Sequence, residues 1–391
     1  MMNKIAIKNG KIVTPMRILE NYTLFVNGGV ITGIVETKDA DLTGYTVYDA
    51  EENYVIPGFI DIHVHGGNGG EINSGTKDSL IKMNRFHCKH GTTTILPTTA
   101  GINEERLFEL LDCVHDMIAG WDEEGPFVPG LHLEGPYLSE KQAGAMVPGS
   151  MLKPGPKALE KLLKHKSIIK YISAAPEVDG VLELSNILSK TGILMSIGHS
   201  NASNEDVLKG IENGFSHVTH LYSAMSTIWR ENAYRIPGVI ESAYLYNDLT
   251  VELIADGHHL PAALLQLAYK NFGSCRIALI TDATVSAGYP DGLVKGTGGK
   301  DVLIENGVAK LPDRSVFAGS ISTMDKIMRN MINLGGVTIQ EAVKMASTTP
   351  ARIIGLGHKK GILAKGMDAD IVILNDEMFA GKVFVRGKLF E

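Results

Sequence analysis

The chain has 391 residues, 44% of them hydrophobic, and a net charge of −7 from 37 basic and 44 acidic side chains. That length exceeds one small core, so a large domain with a smaller companion is expected. The acidic balance without a basic block argues against nucleic acid or an anionic membrane as partner, and three scattered cysteines argue against a disulfide framework. With no apolar stretch of signal-peptide or membrane-spanning length, the chain reads as a cytoplasmic protein.

The first fifty residues read as short strands, with Asn27-Gly28-Gly29 as a hairpin turn in "TLFVNGGVITGIV". The C-terminal segments "ADIVILND" and "AGKVFVRGKLF" have the same character. A small β-sandwich built from residues 1–54 and 364–391, with a large domain of residues 55–363 inserted between its halves, accounts for both ends. In that middle, eight apolar segments are expected as strands: 59–65, 92–97, 128–134, 168–174, 193–199, 216–221, 250–256 and 277–282. Stretches of helical period separate most of them, among them 76–90, 103–119, 181–191 and 203–213, the last with Ser203 as N-cap. This alternation predicts an α/β fold of parallel strands closed into a (β/α)₈ barrel. A doubly wound sheet is the alternative, but "GGNGG" at 66–70 lacks the spacing of a dinucleotide fingerprint.

Polar residues cluster where these strands end. The first carries His63 and His65, the third Glu134, the fifth His199, the sixth His220 and the eighth Asp282. A barrel gathers such positions on its C-terminal rim, and period-two alternation puts His63 and His65 on one face. Asp61 shares that face but lies deeper, while His132 and His217 fall at the wrong depth or parity. A lone strand-end histidine is usually a hydrogen-bonded structural residue. Four histidines and two carboxylates converging from five strands are the ligand set for one or two divalent ions, Zn²⁺, Fe²⁺, Mn²⁺ or Co²⁺. A carboxylate can bridge two such ions, so Glu134 is assigned between them, with His199 and His220 on one and His63, His65 and Asp282 on the other. A divalent ion acidifies water and polarises a carbonyl. With Asp282 moving the proton, the reaction class is hydrolysis of an amide or related C–N bond.

The segments "PGFIDIHVHGG", "HLEGPYL", "GHSNA", "VTHLYSAM", "ELIADGHH", "LITDAT", "AGSISTM" and "TTPARIIGL" together resemble the N-acetylglucosamine-6-phosphate deacetylases of the amidohydrolase superfamily. The resemblance spans nearly the whole chain. It implies a homodimer that cleaves the acetamide of an amino sugar phosphate, a small-molecule substrate. It makes Glu134, His199 and His220 metal ligands and Asp282 the catalytic acid/base, with His63 and His65 matching members that hold a second metal. Substrate contacts are implied for Ser223 and Ala224, for one of Arg230 and Arg235, and for His259, expected to reach the partner subunit's site. Three departures fall on the substrate side. Ser223 replaces a usual Asn, the segment "STIWRENAYRIPG" is longer than usual, and Met146 stands where His or Gln is common. The hydrolytic machinery is thus expected intact, with sugar identity and the phosphate requirement open.

A cyclic-amide hydrolase of the same superfamily is a weaker reading, because Lys170 lies at the start of the fourth strand and leaves Glu134 as the bridge, and the "HLEGP" context argues against a deaminase. A non-catalytic barrel would lack a ligand, and none is missing. "GGNGG" and "KGTGGK" (295–300) read as turn glycines, Met324, Met328 and Met331 as core, and His87, His90 and His115 as helix-surface residues.

Overall fold

Eight parallel strands, each followed by a helix, form the centre of the chain in the computed structural model, which describes residues 4–123, 125–146 and 149–391. The strands are β1 (Phe59–Val64), β2 (Thr92–Thr99), β3 (Leu131–Glu134), β4 (Ile169–Ala174), β5 (Leu194–Ile197), β6 (Phe215–Val218), β7 (Thr250–Leu253) and β8 (Ile277–Leu279). The helices that follow them are α1 (Lys77–Lys89), α2 (Glu104–Ala119), α3 (Ala158–Lys164), α4 (Val181–Leu188), α5 (Asn204–Glu212), α6 (Val239–Leu245), α7 (Ala262–Phe272) and α8 (Met324–Asn333). Each strand pairs with the next in order from β1 to β8. Beyond the strand ends the seam closes through Asp282 N–H to His63 O at 2.9 Å and His65 N–H to Ala283 O at 2.8 Å. The buried Asp61 belongs to this seam. Its carboxylate accepts from Thr281 Oγ1 at 2.5 Å, so it is a closure residue below the site, and burial raises its pKa to about 7.

Local sequence explains the helix starts. Ser203 caps α5 in a reciprocal box with Asp206, and Asn103 caps α2 by accepting from the Arg106 N–H. Met324, Met328 and Met331 are fully buried on one face of α8, as their spacing predicts.

The termini build a mixed sheet. Its order runs from Lys388–Leu389 through Ala380–Val385, Ile371–Leu374, Tyr54–Pro57, Lys4–Val13 and Ile18–Asn27 to Val30–Glu36, with Thr46–Asp49 also pairing the N-terminal strand. Gly28 and Gly29 both have positive φ, the conformation a two-residue hairpin turn requires. The sheet folds over its own core, which includes Ile5, Leu24, Ile31, Val55, Ile371 and Phe384. The buried Lys360 pairs with Asp370 at 2.5 Å and Asp368 at 2.9 Å beside it.

Two findings correct the sequence reading. His87 is not a surface residue: it lies on the inner face of α1 with Leu80, Met83 and Asn84, fully buried. Its Nε2 sits 2.9 Å from Gly66 O, and a Cβ at Gly67 would lie 2.8 Å from that nitrogen. The glycines of "GGNGG" therefore let this ring approach the backbone. His90 and His115 are half-buried and hydrogen-bonded, His90 to Asp325 and His115 to Asp116 and Ser167. The segment 292–310 is also more than a loop, forming three antiparallel strands, Gly292–Lys295, Asp301–Glu305 and Val308–Lys310, between β8 and α8.

Candidate active site

The six residues expected to converge do so at the C-terminal mouth of the barrel, all buried. His199 and His220 stand two residues beyond β5 and β6, and Asp282 stands three beyond β8. All three have positive φ (46°, 29° and 48°), uncommon for residues with a side chain and characteristic of functional sites. Turning the backbone there aims each side chain inward instead of along the departing loop.

Glu134 is the hub. Its Oε1 lies 3.0 Å from His220 Nε2 and 3.2 Å from His199 Nε2, and its Oε2 lies 3.5 Å from His65 Nε2. His63 and His65 bring their Nε2 atoms within 3.2 Å of each other, and Asp282 Oδ1 lies 3.0 Å from His65 Nε2 and 3.4 Å from His63 Nε2. Two ligand groups share the one carboxylate: His63, His65 and Glu134, and Glu134, His199 and His220, with the atoms of each within 4.8 Å of one another.

The outer ring nitrogens show which atoms point inward. His65 Nδ1 is 3.1 Å from Thr98 O, His199 Nδ1 is 2.8 Å from Gln142 O, and His63 Nδ1 is 3.0 Å from Glu252 Oε2. Those acceptors place a proton on each Nδ1 and leave the Nε2 lone pair for a cation. Electrostatics agree. Burial opposes charge on His63, yet Glu252, Asp282 and Glu134 outweigh it and raise its pKa to about 10. Burial likewise works against ionised Glu134, but His199 and its neighbours hold the carboxyl well below the usual range. Asp282 is held low against burial by His63 and His65. At neutral pH His63 therefore keeps a proton on its inward Nε2 as well, and a divalent ion would displace that proton from among the ionised carboxylates.

Around this centre lies a cavity of about 520 Å³ lined by Met146, Ser223, Ala224 and His259, and by Lys300 and Phe317. His259 lines the cavity of its own chain: Asp256 holds its Nδ1 at 2.7 Å, and its ring packs on Phe317 beside it. Arg230 and Arg235 are not among the lining residues. They face each other across an exposed antiparallel hairpin, Trp229–Glu231 with Tyr234–Ile236. His132 and His217 sit below the site, His132 bonded to Thr98 and Ser173 and His217 to Thr250, in keeping with their exclusion as ligands.

Three contributors escaped the sequence reading. Glu252 is fully buried under His63, and its only sequence signal is one acid within the apolar "TVELIAD". Asp256 orients His259. Lys300, in a stretch read as turn glycines, is the only lysine or arginine lining the cavity among the described residues.

A barrel with a shared carboxylate between two imidazole groups, and a further carboxylate beside them, defines the site of a metal-assisted hydrolase. The sequence matches the Amidohydrolase family over residues 54–390, and the chain belongs to that family, whose members are hydrolases. It is 30% identical over 393 residues to the N-acetylglucosamine-6-phosphate deacetylase of Bacillus subtilis (strain 168), covering 100% of this chain and 98% of that protein. It is also 30% identical to the N-acetylgalactosamine-6-phosphate deacetylase of Escherichia coli O157:H7, covering 97% of each. Among solved structures it resembles the N-acetylglucosamine-6-phosphate deacetylase of Pasteurella multocida, with a TM-score of 0.92, 27% identity and 99% of each chain covered. A variant of the Mycobacterium smegmatis deacetylase, in complex with N-acetyl-D-glucosamine-6-phosphate, superposes with a TM-score of 0.90, 27% identity and the same coverage.

Proposed function

We propose that the chain hydrolyses the acetamide of an N-acetylhexosamine 6-phosphate, foremost N-acetylglucosamine 6-phosphate, to acetate and the amino sugar 6-phosphate. The observation that carries this reading is the Glu134 hub with Asp282 beside His65, opening onto a cavity that contains Ser223, Ala224 and His259. Relatives with this activity in their names match along the whole chain.

Divalent ions held by His63, His65, Glu134, His199 and His220 would acidify the attacking water and polarise the amide carbonyl. Asp282 is a carboxylate at neutral pH, so it accepts the water proton and returns it to the departing nitrogen. Against burial, Asp256 raises the pKa of His259, and as an imidazolium held at Nδ1 it offers its Nε2–H to a substrate oxygen. Lys300 supplies the cavity's positive charge for a phosphate; its Nζ donates to Ala145 O at 3.1 Å, on the loop whose Gln142 carbonyl orients His199. Met146 leaves the carbonyl region without a side-chain donor. The exposed Arg230 and Arg235 would meet a phosphate only across an interface, which supports a homodimer in which each hairpin serves its partner. Three cysteines, too few and too scattered for a disulfide framework, suit a cytoplasmic setting, and among the described residues no helix is long and apolar enough to cross a membrane.

The test is a panel of N-acetylhexosamines of gluco and galacto configuration, each with and without the 6-phosphate, assayed for acetate and for ammonia. Acetate release, faster with phosphorylated sugars, is expected. Ammonia as product would replace the deacetylase reading with a deaminase, and equal rates on free sugars would remove the phosphate requirement. Preference for the galacto epimer would assign the second sugar, the one in the name of the E. coli relative.

A further inference from the structure

The geometry points to Glu252 as the positioning residue that makes the His63–His65 half of the site hold a second ion. This inference rests on the metal-site reading above and concerns occupancy. Glu252 lies on β7 with no exposed surface, between the two ligand groups. Its Oε2 is 3.0 Å from His63 Nδ1 and also accepts from the His220 backbone N–H at 3.0 Å. One buried oxygen therefore touches a ligand from each group, though in different ways.

That difference predicts which group depends on it. For His63 the contact is to the ring itself. It fixes the tautomer, so that Nε2 faces inward, and an anionic acceptor raises the basicity of that nitrogen. His65 and His199 have carbonyl acceptors instead, Thr98 O and Gln142 O, so His63 alone draws on a carboxylate through its outer nitrogen. For His220 the contact is to the main chain, leaving its ligand nitrogen's electronics untouched. Its Nδ1 has no hydrogen-bond partner among the described residues, and Glu134 lies 3.0 Å from its Nε2. Losing Glu252 should disable His63 while His220 keeps its place.

Charge points the same way. Glu134, Asp282 and Glu252 place three carboxylates in one buried cluster. A single divalent ion leaves that cluster net negative, so it still attracts a second cation in the low-dielectric interior. Without Glu252 one ion balances the remaining pair. The carboxylate beneath the ligands thus favours the second ion through both orientation and charge.

The test is Glu252→Gln in the full-length protein, loaded with Zn²⁺ and dialysed, with bound zinc counted by elemental analysis and the affinity of each ion taken from competitive titration. The parent is expected to bind two ions. In E252Q the second should bind about 10–100-fold more weakly, with the first unchanged. His63→Ala, measured alongside, identifies the ion lost. Two ions of parental affinity in E252Q would overturn the proposal, as would loss of both ions from a folded variant, which would mean a general structural role. A parent that binds one ion overturns it as well, and separately marks the failure of the two-ion reading. Should E252Q not fold, Glu252→Asp keeps the charge but draws it back by one methylene. Weakened binding of the second ion alone is expected there, and parental binding overturns the proposal.

Discussion

Asp282 Oδ1 lies 3.0 Å from Nε2 of His65, joining a residue three beyond the last barrel strand to the residue after the first. The contact exists because the seam closes through backbone bonds just beside it, Asp282 N–H to His63 O and His65 N–H to Ala283 O. A carboxylate held ionised at that point is a candidate both for metal ligation and for accepting a proton beside the histidines.

Asp282→Asn keeps the shape and removes the basic oxygen. Loss of a positioned acid/base costs about 10²–10⁴ in rate, so kcat for acetate release should fall by that factor. Steady-state kinetics at saturating substrate checks this, and near-parental turnover would take the role away from Asp282.

His63 and His65 serve one ligand group, while His199 and His220 serve the other. Replacing either of the first pair with Ala should lower zinc content relative to the parent, and replacing His199 or His220 should remove the other ion. Elemental analysis of the purified variants decides it. One ion in the parent and one in both first-pair variants would refute the two-ion site.

Lys300 is the cation the chain places in its own cavity, and a hydrogen bond to a charged group contributes about 1.5–3 kcal/mol. For Lys300→Ala this corresponds to a rise of about 10–100-fold in KM for the phosphorylated substrate. Activity toward the unphosphorylated sugar should not move. An equal loss on both sugars would show that the residue shapes the cavity without reading the phosphate.

Burial lowers the pKa of His87 from 6.5 to about 4. Between those values the unfolded chain binds the proton that the folded chain refuses, so stability is fully present above pH 6.5 and declines as pH falls toward 4. At about 1.4 kcal/mol per pH unit the decline from this residue reaches about 3 kcal/mol. His87→Gln should flatten the pH dependence of urea unfolding between pH 4 and 6.5, and parallel profiles for parent and variant would exclude His87 as its source.

Much of this molecule is legible in its sequence. Apolar segments between helical stretches locate all eight strands, and the same pattern puts His63, His65, Glu134, His199, His220 and Asp282 at strand ends, where a barrel builds its site. The burial of His87 was also readable, since Leu80, Met83 and His87 recur on one helical face. Such features are local: periodicity and position within a strand carry them. Other features depend on parts of the chain that only closure of the barrel brings together. Glu252 and His63 are 189 residues apart, and nothing near either predicts that one will orient the other. Likewise, a lysine after turn glycines enters the cavity, the two arginines of which one was expected to contact the substrate lie on an exposed hairpin, and His259 lines the cavity of its own chain. The sequence by itself determined which six strand-end residues converge, but not Glu252, Asp256 or Lys300 around them. Which nitrogens face inward and which cation lines the cavity were decided by the tertiary structure, because orientation depends on contacts between residues far apart in the chain.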